Sequence, residues 1–119
     1  MERIRFITHH AKQILVVDLT HCSAAEVEKT LRAAPDYVTA QSPRSVLLLA
    51  DFTEASFNEE ALRVMKETAT FDKPYIKKTA WTGTQSLPDS FRKEVSDFSK
   101  RDFPVFKTRT EALEWLTKD

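Results

Sequence analysis

The sequence predicts a single α/β domain over residues 1–119, in which helices cover a mostly parallel sheet. Residues 46–50 form an uninterrupted apolar run of strand length, which is typical of a strand buried on both faces. After an opening pair of strand patterns, helix and strand patterns alternate along the chain. Such alternation favours parallel strands joined by right-handed crossovers. A chain of 119 residues is long enough to bury a core without disulfides or metals.

The first two strand patterns predict a hairpin. Residues 3–8 alternate imperfectly between apolar and polar side chains, as at the edge of a sheet. Residues 13–18 are richer in apolar side chains, as in the interior of a sheet. The break at residues 9–12 is short enough for a hairpin loop, so the two strands should be antiparallel.

Each of the four predicted helices has a start signal. A serine or threonine followed three residues later by glutamate, the capping box, stands at Ser23, Ser56 and Thr108. These boxes predict the starts of the first, second and fourth helices. The third helix is predicted to start near Pro88, because proline is tolerated in the first helical turn. Pro35 predicts the end of the first helix.

The remaining strands complete the order ββαβαβαβα. Residues 46–51 are the central strand, and residues 75–82 follow the second helix. Residues 103–106 make a short last strand, whose proline suits an edge. Phe98 is expected to face inward from the third helix because of its helical spacing. We therefore expect a mixed, mostly parallel sheet of about five strands flanked by four helices.

The composition excludes several classes of function. Eighteen basic and eighteen acidic residues cancel, which leaves no electrostatic footprint for nucleic acid or an anionic membrane. No apolar run approaches the roughly 18 residues of a membrane span. Charged residues interrupt the N-terminus, so neither a signal peptide nor an integral membrane segment is expected. The single cysteine, Cys22, excludes an internal disulfide and points to a reducing compartment, so the cytoplasm is the expected location.

The single glycine, Gly83, argues against nucleotide chemistry. Phosphate-cradling and dinucleotide-binding loops need several glycines, so no cofactor is expected. No metal site is predicted either, because His9 and His10 precede the second strand whereas His21 and Cys22 follow it. The two pairs should be roughly 30 Å apart, at about 3.3 Å per strand residue. His21 and Cys22 are also a poor nucleophile pair, since neighbours on an extended chain point to opposite faces.

Two loops between a strand and a helix share a pattern. Asp18 and Asp51 each end an apolar strand, and a threonine follows two residues later, at Thr20 and Thr53. The simpler interpretation is shared turn chemistry, in which the side chains accept loop N–H groups before a capped helix. The alternative is a carboxylate pair that holds Mg²⁺ or does acid–base chemistry. Since no basic residue has an evident supporting position, no catalytic residue is assigned.

The predicted working surface consists of three loops, residues 20–23, 51–57 and 82–87, because open α/β sheets place ligands and switches at the carboxyl ends of their strands. A phosphate on Ser56 would meet the positive end of the second helix dipole, and Thr53 is a second candidate for phosphorylation. Simple helix capping is the alternative role of Ser56. Phe52, Phe57 and Trp81 should cluster at the same end of the sheet, either as core packing or around a small apolar pocket.

A resemblance to a known family extends over nearly the whole chain. It covers residues 16–20, 45–57, 58–61, 73–75, 81–83 and 110–116. Their order and spacing resemble the STAS-like family, which has the anti-sigma-factor-antagonist fold, and in particular its small stand-alone bacterial branch related to CRAL-TRIO domains. The resemblance implies a non-catalytic role, since members of the wider family bind partner proteins or sense nucleotides and small ligands.

The resemblance also implies a position for a switch. In the antagonist proteins a phosphorylated serine lies at the start of the helix after the middle strand, within an Asp-Ser-x-Gly-like motif. The matching loop here, residues 51–57, has neither a glycine nor an Asp-Ser pair. Ser56 or Thr53 therefore matches the family by position and not by motif.

We therefore expect a non-catalytic cytoplasmic binding or regulatory module that acts through protein–protein contacts. Its partner surface is expected at Asp51, Phe52, Thr53, Ser56, Phe57, Trp81 and Gly83. The alternative is a carrier or sensor of a small apolar or lipid-like ligand in a pocket near Trp81. The first strand could also serve as a pairing edge for a homodimer.

Overall fold

The computed structural model describes residues 2–118, and its strands and helices follow the predicted order ββαβαβαβα. The strands are β1 (Ile4–His9), β2 (Lys12–Asp18), β3 (Val46–Asp51), β4 (Ile76–Thr82) and β5 (Val105–Phe106). The helices are α1 (Ala24–Val38), α2 (Glu59–Asp72), α3 (Phe91–Ser99) and α4 (Arg109–Thr117). Two short 3₁₀ turns, Lys73–Tyr75 and Thr84–Ser86, flank β4.

The five strands form one sheet in the order β1-β2-β3-β4-β5. β1 and β2 form the predicted antiparallel hairpin, and the other neighbouring strands are parallel. β3 lies at the centre and is buried along its whole length, as its apolar run predicts. The prediction of a mixed, mostly parallel sheet with four helices is therefore confirmed.

Helices cover the two faces of the sheet unequally. One face packs against α1, α2 and α3, and its buried side chains include Val17 and Trp81. The other face packs against α4 alone, through Ala112 and Leu116. Because side chains alternate along a strand, Asp51 at the end of β3 falls on the face of α4.

The prediction that α1 ends at Pro35 is wrong, because the helix continues to Val38. Proline lacks the N–H that would bond to the carbonyl one turn earlier, which costs about 3 kcal/mol in a helix interior. Here Val38 is completely buried, and both the N–H and the hydroxyl of Thr39 donate to the Pro35 carbonyl at 2.9 Å. The burial of Val38 and the two bonds from Thr39 offset the free-energy cost of the hydrogen bond that Pro35 cannot make. The capping box predicted at Ser23 is confirmed.

The prediction that Ser56 caps α2 is also wrong. Asn58 is the N-cap, and its side-chain oxygen accepts the N–H of Ala61 at 2.8 Å. The N–H of Ser56 instead donates to the carbonyl of Cys22 at 2.9 Å. Asparagine caps a helix as well as serine does, so the local sequence offers two possible N-caps. The bond from Ser56 to Cys22 decides between them, and no local pattern predicts that bond.

The third helix and the last strand are shorter than predicted. α3 begins at Phe91 rather than near Pro88. Phe98, which helical spacing placed inside, is 55% exposed. β5 begins at Val105, and Phe103 is instead a core residue that stacks on the tryptophan of β4 with ring centroids 4.4 Å apart.

A carboxyl group is buried between the sheet and α2. Asp72 is 5% exposed, and its Oδ1 atom has no hydrogen-bond partner among the described residues. Arg101 donates to the Ala69 carbonyl at 2.8 Å and to the Thr79 hydroxyl, and the two charged groups line a cavity of about 40 Å³. Burial raises the pKa of Asp72 to about 6, and the charge of Arg101 only partly opposes this. Folding therefore favours the protonated carboxyl.

We expect Asp72→Asn to gain stability relative to the native chain as the pH rises from about 4 to about 6. A raised pKa in the folded state means that the folded chain holds its proton more tightly, so native stability is lost as the carboxyl ionises. Since asparagine does not ionise, the difference in free energy of unfolding should change by about 2–3 kcal/mol across this range, at about 1.4 kcal/mol per pKa unit.

Urea unfolding at several pH values measures this difference. Asp36→Asn, at an exposed position of α1, is the matched control. A difference between Asp72→Asn and the native chain that stays constant with pH would contradict the assignment of Asp72 as a buried, uncompensated carboxyl.

Candidate functional site

Two buried carboxylates lie side by side at the carboxyl end of the sheet. Asp18 ends β2, Asp51 ends β3, and the two residues are partners in the parallel register. They are 9% and 5% exposed. The sequence predicted that the two aspartates could be neighbours, because the carboxyl ends of parallel strands lie at the same edge of a sheet.

Both carboxylates close the same kind of turn. Oδ1 of Asp18 accepts the N–H of Thr20 at 3.0 Å and its hydroxyl at 2.6 Å. Oδ1 of Asp51 accepts the same two groups of Thr53 at 3.0 and 2.7 Å. The repeated Asp-x-Thr pattern therefore builds two matching turns, as the simpler interpretation of the sequence predicted.

Arg109 joins the two carboxylates, and the sequence analysis missed it. Its Nε donates to Oδ2 of Asp51 at 2.6 Å, and its Nη2 lies 3.5 Å from Oδ1 of Asp18. Arg109 is the first residue of α4, directly after Thr108, whose hydroxyl accepts the N–H of Glu111 at 3.1 Å as the predicted cap. Only the crossover that lays α4 over the sheet brings this guanidinium to the strand ends, so no local pattern indicates it.

The charges of this network compensate one another. Burial by itself would raise the pKa of Asp18, but the hydrogen bonds from Thr20 and the charges of Arg109 and Arg3 hold it below its ordinary value. Burial would lower the pKa of Arg109, yet the hydrogen bond and charge of Asp51 raise it. Loop donors and Arg109 occupy both oxygens of Asp51 and Oδ1 of Asp18, and Oδ2 of Asp18 lies 3.9 Å from Nη1 of Arg5. The geometry therefore favours a structural anchor over a Mg²⁺ site or an acid–base pair.

The two loops continue the sheet beyond its strands. The Leu19 N–H donates to the Asp51 carbonyl at 2.9 Å, and the His21 N–H donates to the Thr53 carbonyl at 2.8 Å. At equivalent positions, His21 and Glu54 adopt the left-handed conformation, with φ of 56° and 54°. Their side chains pair across the surface, with His21 Nδ1 2.9 Å from Glu54 Oε2. The loops are therefore fixed to each other through both main chain and side chains.

The outer side of these loops carries the exposed part of the predicted partner residues. Thr53 and Ser56 are exposed, as are His21, Ser23 and Glu54. We call these five residues the twin-loop surface. His21 and Glu54 lie within loops 20–23 and 51–57 of the predicted working surface, and both directly follow the threonines of the repeated pattern. The sequence analysis named neither of them individually as a partner residue.

The aromatic residues of the prediction belong to the core. Phe52 and Trp81 are 0% and 1% exposed, with ring centroids 4.7 Å apart. Phe57 is half-buried, and its ring lies 4.7 Å from that of Phe91. The enclosed cavity beside Trp81 measures about 40 Å³, whereas small-molecule pockets are typically roughly 300–1,000 Å³. Core packing therefore describes these rings better than a pocket does.

Gly83 allows the loop after β4 to lie close to the Asp51–Thr53 turn. Its φ is 72°, in the left-handed region, and a Cβ atom there would lie 2.5 Å from the Thr53 nitrogen and 2.8 Å from Oδ1 of Asp51. No side chain can be accommodated at such distances from a backbone atom. Gly83 is therefore needed for the close approach itself as well as for its backbone conformation.

Cys22 is a packing residue. It is 1% exposed, and burial raises the pKa of its thiol. A buried thiol with a raised pKa is a poor nucleophile and a poor metal ligand. The neighbouring His21 pairs with Glu54 on the surface instead.

The fold also gathers positive charge at the amino end of β4. An open groove of about 1040 Å³ is lined by seven basic residues and a single acidic one. They are Arg44, Lys73, Lys77, Lys78, Arg92, Lys100 and Arg101, with Asp102. The balanced net charge therefore hides a local excess of positive charge. The expectation that the chain does not bind nucleic acid stays a prediction, and it rests on net charge alone.

The chain has a SpoIIAA-like, or STAS-like, fold. Similarity to a solved structure shows this. The crystal structure of an uncharacterised protein of the DUF3478 family with a SpoIIAA-like fold, from Shewanella loihica PV-4, matches with a TM-score of 0.72 at 16% sequence identity. The match covers 95% of this chain and 91% of that one. The predicted resemblance is thereby confirmed at the level of the fold.

Two further comparisons add no relative, since no protein-family model matches the sequence and no curated protein matches it significantly. Within residues 2–118, each helix is too short or too polar to cross a membrane.

We expect Arg109→Met to destabilise the fold by about 2–4 kcal/mol, because it leaves two buried carboxylates without their shared cation. Arg63→Met is the matched control, since Arg63 also contacts two carboxylates, those of Glu60 and Glu67, but on the exposed surface of α2. Exposed pairs of this kind contribute about 0–1 kcal/mol. Denaturant unfolding measures both variants, and equal losses would show that Arg109 is not an anchor.

Gly83→Ala should destabilise the chain by about 2–4 kcal/mol, of which only about 1 kcal/mol comes from the left-handed backbone and the rest from the clash with Thr53. Lys100→Gly provides the opposite test. Lys100 ends α3 with φ of 59°, where glycine is preferred, so this change should stabilise by about 0.5–1 kcal/mol. Thermal unfolding gives both values. A neutral Gly83→Ala would mean that the two loops are not in close contact.

Proposed function

We propose that this chain is a non-catalytic cytoplasmic regulatory module that recognises a partner protein through the twin-loop surface. The two loops are fixed to each other by main-chain bonds and by the Asp18–Arg109–Asp51 network, while their outer side chains stay exposed. This combination is the observation that supports the proposal most. Recognition residues are disproportionately found on loops that a rigid scaffold positions, and a preorganised surface loses less conformational entropy on binding.

The chemistry of the strand ends favours binding over catalysis. Both oxygens of Asp51 and Oδ1 of Asp18 contact their own loops or Arg109, and Oδ2 of Asp18 faces Arg5 at 3.9 Å. The carboxylates are thus surrounded by donors and cations, which favours a structural role over that of a base or metal ligand. Cys22, the only thiol in the sequence, is buried. The STAS-like resemblance implies the same class of role, since proteins of that family act by binding partners.

The His21–Glu54 pair contributes more to the shape and charge of the surface than to stability. Both side chains are about 70% exposed, at 69% and 70%, and exposed pairs contribute about 0–1 kcal/mol. Each residue also holds a left-handed backbone conformation, which costs roughly 1–2 kcal/mol when a Cβ is present. A pair with so little net benefit to folding is what we expect of a recognition element.

Ser56 is the better of the two candidates for a phosphorylation switch. The Thr53 hydroxyl donates to Asp51 at 2.7 Å, so a phosphate there would break the turn and face a carboxylate. Ser56 is exposed and lies two residues before Asn58, the N-cap of α2. A phosphate on Ser56 would change the charge of the twin-loop surface while both Asp-x-Thr turns stay intact.

A ligand carrier is the alternative, and it has less support. The cavity beside Trp81 is about 40 Å³, and Trp81, which is only 1% exposed, also lines a surface depression of about 250 Å³. A lipid-like ligand would need the aromatic core to open. Self-association is a separate expectation, since β1 is the first strand in the sheet order and is paired on one side only.

Photo-crosslinking in the native host tests the twin-loop surface. A photoreactive amino acid at position 56 should yield one discrete adduct with a partner protein, whereas the same amino acid at Glu94, exposed on α3, should not. Glu54→Lys should reduce the adduct at least tenfold, because it reverses the charge beside the crosslinker. Circular dichroism should show an unchanged fold, since Glu54 is exposed.

The control for charge is Glu94→Lys, which makes the same change on α3 and should leave the adduct intact. Two outcomes would place the partner elsewhere on the molecule: adducts of equal yield from positions 56 and 94, or an adduct from position 56 whose yield Glu54→Lys does not reduce. The basic groove would then be the next surface to test.

A further inference from the structure

Two histidines and a glutamate converge at the end of the sheet opposite the twin-loop surface. Glu114 of α4 places its Oε2 atom 3.2 Å from Nε2 of His9 and 2.6 Å from Nε2 of His10. The three ligand atoms all lie within 4.8 Å of one another. The sequence analysis predicted no metal site, because it considered these histidines only together with His21 and Cys22, which lie too far away. No local pattern indicates a partner 104 residues further along the chain.

The hairpin turn brings both imidazoles to the same side. Neighbouring residues of an extended strand point to opposite faces, but His10 and Ala11 both have positive φ, 50° and 64°, in a two-residue turn of the mirror-image type. The rings of His9 and His10 consequently lie 4.2 Å apart at an angle of 63°. Such turns favour Asn-Gly, so this one adopts its conformation despite the residue types.

Contacts that do not involve the three residues hold α4 beside this turn. Lys12, the strand partner of His9, donates to the carbonyl of Thr117 in the last turn of α4 at 3.0 Å. Ile14 of β2 and Leu116 of α4 belong to the same buried cluster. These contacts position the hairpin and the helix relative to each other, and the side chains of His9, His10 and Glu114 meet as a result.

The donor set suits a transition metal of borderline softness. Two imidazole nitrogens and one carboxylate oxygen are typical zinc ligands, whereas Mg²⁺ and Ca²⁺ prefer oxygen ligands. Bonds of about 2.0–2.2 Å in a tetrahedral site put the ligand atoms roughly 3.3–3.6 Å apart, so only small side-chain rotations are needed. The side chains of His9, His10 and Glu114 are 27%, 60% and 56% exposed, which leaves them free to rotate and leaves the site open.

One carboxylate oxygen, Oε2 of Glu114, already contacts both imidazoles. A bound metal would replace the two His–Glu contacts with three metal–ligand bonds and would keep one position for water or an outside ligand.

We propose that His9, His10 and Glu114 form a Zn²⁺ site with three protein ligands and one open position. The ion links the β1–β2 hairpin, at the start of the chain, to α4, at its end. Because the metal would bind the folded chain through residues that are far apart in the sequence, binding should also raise the stability of the fold.

Isothermal titration of the tag-free chain with ZnCl₂ tests the site. We expect one ion per chain, a dissociation constant in the micromolar range, and a higher unfolding midpoint with ZnCl₂ but not with MgCl₂. CoCl₂ should give the visible absorption of tetrahedral Co²⁺. His10→Ala and Glu114→Gln should each weaken Zn²⁺ binding at least tenfold, because each leaves only two ligands.

His21→Ala is the matched control, since His21 also pairs with a glutamate on an exposed surface but has no third ligand among residues 2–118. It should bind Zn²⁺ as the native chain does. His10 and Glu114 are exposed, so their variants should keep the circular dichroism of the native fold. The proposal fails if the native chain does not saturate with ZnCl₂, if His21→Ala weakens binding as much as His10→Ala, or if Glu114→Gln has no effect.

Discussion

The carboxyl end of this fold depends on one guanidinium group. Two neighbouring parallel strands end in buried aspartates, and like charges in adjacent buried positions repel each other strongly. Arg109 lies between them, 2.6 Å from Asp51 and 3.5 Å from Asp18. Each strand can therefore end in its own Asp-x-Thr turn, and Arg109 connects the two turns to the start of α4. The proposed recognition surface exists because this triad is satisfied.

The loops are ordered even though the chain has a single glycine. In the described part of the chain, six residues other than glycine adopt positive φ, namely His10, Ala11, His21, Arg44, Glu54 and Lys100. Each such position costs roughly 1–2 kcal/mol in backbone energy, yet a side chain can still be accommodated there. At Gly83 a side chain cannot be accommodated, because a Cβ would clash with the backbone of Thr53. The one glycine therefore stands where no other residue is sterically possible.

Local patterns predicted the elements and their order well, because strand burial, capping boxes and the alternation of elements are encoded over short distances. They failed where a long-range contact decided between local options. Pro35 lies inside α1 because the buried Val38 extends the helix. Asn58 rather than Ser56 caps α2, and the backbone of Ser56 bonds to Cys22.

The candidate sites were predicted only in part for the same reason. The repeated Asp-x-Thr pattern located both turns from the sequence. Arg109 and Glu114 lie on α4, far along the chain from the residues that they contact, and they gave no local signal. The basic groove likewise collects lysines and arginines from separate segments, which a total of charges cannot show. Topology, and not composition, determines these three features.

α4 connects these observations. It covers its face of the sheet alone, where Ala112 and Leu116 are its buried apolar side chains and Leu113 and Trp115 pack beside them partly buried. Polar contacts hold both of its ends: Arg109 at the carboxylates, and Lys78, which donates to the carbonyls of Trp115 and Lys118 at 3.2 and 2.7 Å.

A helix held in this way is sensitive to the charges around it. Glu114 lies on α4 between its two polar attachments and faces the hairpin histidines. A cation bound by Glu114 would therefore act on the same rigid helix whose first residue, Arg109, supports the twin-loop surface. The proposed metal site and the proposed recognition surface lie at opposite ends of the sheet, and α4 carries a residue toward each end. Glu114 contacts the hairpin histidines, and Arg109 contacts Asp18 and Asp51, which begin the two loops.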